Sequence, residues 1–390
     1  MKLNKVLPVI LLLLSFNFFI PRLGAADPRP DGKPPKIKAS AACLMDVATG
    51  RIYYEKDGDK RREPASLTKV MTAILAIENG NLKDIVTVGK RAAAVSMGQD
   101  IGLKTGDRLY LEDLLKAALM YSANDSTVAI AEHIGGSHDM FVKMMNDKAR
   151  VLGMKNTRFA NTNGYHHPNH YTTANDLAIL TSYALKNKTF AKFVKTEEAT
   201  ITWLPGEEDI KTSKDVKDEH PKQRVLHNTN RLLRSDFEGI DGVKTGTTPR
   251  AGNCLIASAT REGRQLVAVI LHSNNRWNDA TRLLEYGFNE IKPVVLTEKD
   301  EVITELPVLD GLDKKVSLVA AQRIEVYLPR IDVDKVERKA TLNPTPTAPV
   351  KQGTKLGTAT YFLNGKEIAS VDLVANRNIE RVSWFNRLFD

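Results

Sequence analysis

Only two cysteines, Cys43 and Cys254, occur in 390 residues, too few for a disulfide framework. Each lies in an apolar, strand-like setting, so two buried thiols are at least as good a reading as one bridge. Aromatic residues make up 6% of the chain, and nowhere do they interleave with a basic patch, which argues against nucleic acid as a partner. There is no internal repeat. Low complexity is confined to a Pro-rich lead (Pro28, Pro30, Pro34, Pro35) and a Thr/Pro stretch at 341–349 that reads as a linker. His166, His167 and His170 cluster, but no second ligand set or HExxH helix accompanies them, so neither a metal nor a cofactor is expected.

What is present begins with the first residues. Lys2 and Lys5 precede an apolar run from Val6 to Ile20, closed by Pro21 and followed by Gly24, Ala25 and Ala26. A basic start, a short apolar middle and an A-x-A-like exit describe a secretory signal peptide over residues 1–26, the run being short for a permanent span. The formal charge of +9 and pI near 9.3 suit a negatively charged partner such as a membrane or cell-wall polymer. At the other end, residues 376–390 finish in a tail that, wound as a helix from Arg381, gathers Val382, Trp384, Phe385, Leu388 and Phe389 on one face. Arg381 would have to snorkel at the edge of that face. Such a basic amphipathic tail reads as an interfacial membrane anchor, the competing reading being a terminal helix docked on its own domain.

Between the ends, alternation over Ala41 to Val47 and Ile52 to Tyr54 predicts a hairpin. Helical spacing follows from Pro64 to Glu78, then over Leu111–Tyr121, Asp125–Ile134, 138–151 and 174–187. Residues 205–224, highly charged and punctuated by Pro205, Gly206 and Pro221, read as a long solvated loop. Strands resume at Ile240–Thr245, Asn253–Ala259 and Leu266–Leu271, and a helix spans about Asp279 to Glu290. A hairpin first, helices in the middle, then three strands and a helix predict an α/β sandwich whose antiparallel sheet joins early and late strands, over residues 37–292. Beyond Pro293 short alternating runs, such as Val316–Ala320, Ile324–Leu328 and Thr358–Leu363, predict a separate small all-β domain over 296–375.

Three strings carry the chemistry. Ser66 and Lys69, the chain's only S-x-x-K pair, lie three apart at the start of a helix and so share a face. A lysine in an apolar environment loses its charge more readily and can act as a base on the neighbouring hydroxyl. The helix N-terminus offers its N–H groups to a developing oxyanion. Ser122, Ala123, Asn124 fall in a tight turn between two helices, where side chains can enter a cleft. Lys244, Thr245, Gly246 end an alternating strand, and Thr247 follows. Two decoys share these spellings: Lys104, Thr105, Gly106 reads as a turn, and Ser273, Asn274, Asn275 lies at a strand end after the last motif.

Taken with their flanks, PASLTKVMT (Pro64–Thr72), YSAND (Tyr121–Asp125), HYTTAND (His170–Asp176) and GIDGVKTG (Gly239–Gly246), these residues resemble the penicillin-binding D-alanyl-D-alanine carboxypeptidases of bacterial cell-wall maturation. The resemblance implies a β-lactamase/transpeptidase-like antiparallel sheet flanked by helices. It also implies that Ser66 attacks a terminal D-Ala-D-Ala carbonyl of a peptidoglycan stem and Lys69 takes its proton. Ser122 would relay a proton to the departing D-alanine, with Asn124 holding Lys69 and the substrate backbone. Lys244 would set the electrostatics around Ser122, and Thr245 would help to hold the terminal carboxylate. Backbone N–H groups of Ser66 and Thr247 would form the oxyanion hole, and Gly246 would belong to the substrate-binding strand. Arg276 is a further candidate for the carboxylate. Implied with this are β-lactams as covalent inhibitors and a place on the periplasmic side of the inner membrane. One departure concerns Thr229, where some relatives carry an arginine; Arg231 is nearby in sequence.

Three other readings compete. A class A β-lactamase needs a glutamate for the deacylating water, and Asn161, Thr162, Asn163, Gly164 offer none. A D,D-endopeptidase cleaving cross-links on the same fold differs only in its acyl donor. A non-catalytic wall-binding scaffold would have no use for a buried amine beside a hydroxyl.

Overall fold

The structure is a computed structural model that describes residues 32–206 and 220–383. The expected signal peptide, most of the charged loop and the aromatic part of the tail lie outside them. Its centre is a five-stranded antiparallel sheet in the spatial order Ile52–Lys56, Ala41–Asp46, Arg264–Leu271, Gly252–Arg261, Ile240–Thr248. The first hairpin thus joins the late strands, as the element order predicts.

Strand periodicity separates two cores. Ala41, Cys43 and Met45 face one side with Val267, Val269 and Leu271, whereas Ala42 and Leu44 face the other with Leu266, Ala268 and Ile270. Alternate residues of a strand point to opposite faces, so a sheet covered on both sides is apolar at every position. The first face is covered by a helical layer around Lys69–Asn79, the second by the helix Arg276–Asn289 through Ala280, Leu283 and Leu284. Both cysteines are buried free thiols of this sheet.

Three local expectations are corrected. The helix expected over 174–187 ends at Leu185, because the Asn187 side chain accepts from the Thr189 and Phe190 N–H groups and starts a new helix, Lys188–Lys195. The expected loop at 205–224 is shorter: Lys222–His227 is a strand paired with Glu198–Leu204, in a four-stranded sheet with Ile85–Thr87 and Arg108–Tyr110. The Thr/Pro stretch at 341–349 is not a free linker. Thr341 and Leu342 close the strand Val336–Leu342, and Ala348, 2% exposed, is held by hydrogen bonds linking Leu309 with Pro346 and Ala348. The chain is not released after the strand, because Ala348 and Val350 pack into the C-terminal core.

The C-terminal strands form a second five-stranded sheet and a two-stranded ribbon around a third core that includes Leu318, Tyr361, Leu373 and Ile379. The expected terminal helix does not start at Arg381. Ile379 pairs with Val350 and Arg381 with Gly311, so backbone pairing keeps this stretch extended. Arg264 spans the junction with the sheet domain: its guanidinium donates to Asp46 and to the Gly287 and Ile291 carbonyls, and lies over the rings of Tyr53 and Tyr327.

Candidate active site

Pro64 and the left-handed Ala65 (φ +49°) turn the chain into a short 3-10 segment, Ala65–Thr68, from which the helix Lys69–Asn79 continues. Ser66 projects from this turn into a cleft of about 320 Å³, while Lys69 is completely buried beneath it. The turn is braced from behind. Thr68 Oγ1 donates to the Ala65 carbonyl at 2.9 Å and meets His170 Nε2 at 2.9 Å. His170 Nδ1 accepts from the Ala160 N–H at 3.3 Å, which leaves Nε2 as the protonated nitrogen. Burial holds this imidazole neutral, its pKa lowered to about 4. His170 is therefore a structural brace. His166 pairs with Glu63 at 2.8 Å, and His167 Nδ1 accepts from the Asn169 N–H. Among the described residues no three His, Cys, Asp or Glu side chains converge in a metal-binding group.

The surroundings of the Lys69 amine decide what it can do. Nζ lies 2.7 Å from Asn124 Oδ1, 3.1 Å from the Asn163 carbonyl and 2.9 Å from Ser66 Oγ. Asn124 is oriented by its own amide, because Nδ2 donates to the Met97 carbonyl at 2.7 Å and so turns Oδ1 toward the lysine. Two of the three neighbours can only accept. A neutral amine gives one N–H to each and is left with its lone pair directed at the Ser66 hydroxyl. Burial, reinforced by the nearby Lys244 charge and opposed by Asp125, lowers the Lys69 pKa well below its ordinary value.

Ser122 closes a π-helical stretch, Ala117–Tyr121, in the left-handed conformation (φ +74°), and this places its hydroxyl 3.0 Å from Lys244 Nζ. Lys244, also fully buried, donates to the Thr245 carbonyl at 3.0 Å; burial and the Arg276 charge lower its pKa to about 7. The edge strand Ile240–Thr248 runs close behind Ser66. A Cβ on Gly246 would lie 3.0 Å from the Ser66 nitrogen, so the glycine lets the strand approach the turn closely. Thr245 Oγ1 meets Thr229 Oγ1 at 2.6 Å, and the Thr229 N–H donates to the Met120 carbonyl, tying this strand to the turn that carries Ser122.

Arg276, the first residue of its helix, donates through Nη1 to the Gly246 and Cys254 carbonyls and to Thr247 Oγ1. All nine residues singled out from the sequence therefore meet around one cleft, although Lys69 and Lys244 lie below its surface. The two decoys stay outside. Lys104–Gly106 forms a turn, with Gly106 at φ +88°, and Ser273 Oγ donates to Asp279. Asn163, Gly164 and Thr229 also line the cleft, with Gly98, Gln99, Tyr165, Thr248 and Pro249; of these only Thr229 stands out in the sequence, as a departure from relatives, and periodicity points to none of them. Gly164 is packed so tightly on the turn that a Cβ would lie 1.7 Å from the Ala65 carbonyl oxygen. The only signal in the sequence was an Asn-Gly pair, which marks a turn and not what the turn touches.

A hydroxyl, a buried amine aimed at it, a second hydroxyl on a second amine, and a sheet edge alongside form an acyl-transfer site. The chain is similar to known proteins over most of its length. The family described as D-alanyl-D-alanine carboxypeptidase matches residues 29–275. The chain belongs to the D-alanyl-D-alanine carboxypeptidase family. The C-terminal domain described for penicillin-binding protein 5 matches residues 292–381. The D-alanyl-D-alanine carboxypeptidase DacC of Escherichia coli is 34% identical over 370 residues, covering 91% of this chain and 88% of its own. DacF of Bacillus subtilis is 30% identical over 99% of this chain and 97% of its own. Among solved structures, the carboxypeptidase DacD from Francisella tularensis superposes with a TM-score of 0.72 at 28% identity, covering 91% of this chain and 97% of that one. The Streptomyces K15 DD-transpeptidase, at 32% identity and a TM-score of 0.60, covers 66% of this chain and 99% of that one.

Proposed function

We propose that the protein is a serine-type D-Ala-D-Ala carboxypeptidase that removes the terminal D-alanine from peptidoglycan pentapeptide stems. The observation that carries this reading is the Lys69 amine, desolvated, 2.9 Å from Ser66 Oγ and held by two pure acceptors, so that once deprotonated it can turn its lone pair to that hydroxyl. Ser66 Oγ attacks the carbonyl carbon of the penultimate D-alanine and its proton passes to Lys69. The oxyanion is received by the Ser66 and Thr247 N–H groups at the helix start and strand edge. As the C–N bond breaks, the leaving D-alanine amine takes a proton by way of Ser122, and water then hydrolyses the ester to release the tetrapeptide and restore Ser66. Lys244, Thr245 and Arg276 favour a substrate ending in a free carboxylate. The edge strand Ile240–Thr248 has, among the described residues, no sheet partner on one side, which suits an extended peptide.

No aspartate or glutamate among the described residues lines the cleft. Activation of a deacylating water by a carboxylate therefore has no candidate, and a β-lactam that acylates Ser66 should leave slowly. In cellular terms, residues 1–26 support export and residues 376–390 support attachment of the folded protein to the periplasmic face of the inner membrane. No helix among the described residues is long and apolar enough to cross a membrane.

The test is incubation with a pentapeptide muropeptide and with a cross-linked dimer, followed by mass spectrometry. Loss of one D-alanine from the pentapeptide, abolished in a folded Ser66→Ala variant, is expected. Cleavage of the dimer alone would make the protein an endopeptidase, and full activity of Ser66→Ala would sink the mechanism.

A further inference from the structure

The turn that joins Val302–Pro307 to Lys315–Ala320 carries two large apolar side chains in the open: Leu309 and Leu312 are each 56% exposed. The same turn is tied to the last described residues. Gly311 bridges Arg381, the Leu312 N–H donates to the Glu380 carbonyl at 2.9 Å, and the Val382 N–H donates to the Asp310 carbonyl at 2.9 Å. Its acidic side chains are matched by arginines, Asp310 with Arg381 and Asp313 with Arg377, and the adjoining Lys314 is exposed.

Seven residues follow Ser383, and they include Trp384, Phe385, Leu388 and Phe389. An extended chain advances at most about 3.4 Å per residue, so Trp384 and Phe385 cannot lie more than roughly 10 Å from Val382. Whatever surface those aromatics enter, the turn hydrogen-bonded to their root is brought to it. A turn that meets a bilayer with exposed leucines gains apolar burial, and its own two acids are already paired with arginines; the exposed Glu380 carboxylate beside it has to stay on the water side.

We infer that Leu309 and Leu312 form a second contact with the lipid bilayer beside the tail, so that this end of the β domain rests on the membrane and fixes the enzyme's attitude to it. The inference rests on the reading of the tail as an interfacial anchor. The test uses the full chain and vesicles of phosphatidylcholine and phosphatidylglycerol. An environment-sensitive dye is placed on Leu312→Cys, the native Cys43 and Cys254 being buried. A control dye on Val151→Cys, 80% exposed in the catalytic domain, reports labelling away from the turn.

The emission at position 312 should shift to the blue on adding vesicles and be quenched by lipid-phase quenchers, with position 151 unchanged. Leu309→Glu with Leu312→Glu should weaken vesicle partition by roughly tenfold or more while D-alanine release from a soluble peptide stays the same. Vesicle binding with no shift at 312, or undiminished partition of the double variant, would overturn the inference and leave the tail anchor intact. Failure of the unaltered protein to bind would remove the anchor itself. A concentration-dependent shift without vesicles would assign the turn to a second copy of the chain instead.

Discussion

Replacing Gly164 by alanine tests whether the loop beneath Ser66 positions the base. Gly164 is left-handed (φ +86°), and its Cβ would lie 1.7 Å from the Ala65 oxygen and 2.8 Å from Thr68 Oγ1. The Ala65 carbonyl accepts the Thr68 hydroxyl, so it cannot yield without loosening the turn that presents Ser66. The loop must instead retreat by more than an ångström, and the neighbouring Asn163 carbonyl then leaves Lys69 Nζ, now 3.1 Å away. The left-handed alanine costs about 1 kcal/mol, and the disrupted buried hydrogen bond adds about 1–3 kcal/mol. A base displaced by about 1 Å should slow acylation by about 100-fold. Stopped-flow acylation with a fluorescent penicillin measures the rate, and urea denaturation measures the stability. Gly153→Ala is the control, being left-handed (φ +77°) with nothing within 4 Å of its Cβ, so it carries the backbone cost alone. Acylation of Gly164→Ala within about threefold of the parent would refute the argument that this loop holds Lys69.

Lys244 should make catalysis pH-dependent in a substrate-specific way. With its pKa lowered to about 7 in the free protein, kcat/KM for a carboxylate-ended peptide should fall as pH rises through that value. The bound carboxylate favours the ammonium form, so kcat should hold to higher pH; identical alkaline limbs would contradict this role. His170 predicts a stability change of the opposite sense. Its folded pKa of about 4 lies below the ordinary 6.5, so the unfolded chain binds the extra proton first and stability should decline by about 3 kcal/mol as pH falls from 6.5 to 4. His170→Gln should flatten that part of the denaturation profile, and an unchanged slope would place the proton elsewhere. Arg264→Ala should cost about 3 kcal/mol in urea denaturation, because it strips the ion pair from the buried Asp46 and the guanidinium from between Tyr53 and Tyr327. A loss below about 1 kcal/mol would mean that water replaces the arginine at no cost.

How much could be read before the fold was known differs between scaffold and site. The strands Ala41–Asp46 and Arg264–Leu271 showed as apolar runs, though their antiparallel pairing across more than two hundred residues rests on backbone hydrogen bonds that no window contains. Lys188–Lys195 was missed because its start depends on the Asn187 cap within what reads as one helical period. The strand Lys222–His227 was missed because exposed charged residues hide a strand whose stability comes from its partner. At the tail, pairing with Gly311 fixes Arg381 outside any helix, while the aromatic residues of the expected helix lie outside the described ones.

The sequence by itself determined the chemistry available: one serine and lysine a helical turn apart, a second serine in a turn, a lysine on a strand that the structure extends past the expected end at Thr245 to Thr248, and apolar periods that make an antiparallel sheet between helices. Those are local properties, set by spacings of two to four residues. Only the tertiary structure decided that the Lys69 amine is held between Asn124, Asn163 and Ser66, since Asn124 and Asn163 come from segments distant in sequence. It alone brought Lys244 to Ser122 across 122 positions, left no room for a side chain at Gly164 and brought the Gly246 backbone close to the nucleophile's turn. Desolvation and close approach are properties of packed neighbours, and a sequence names the residues without saying which ones become neighbours.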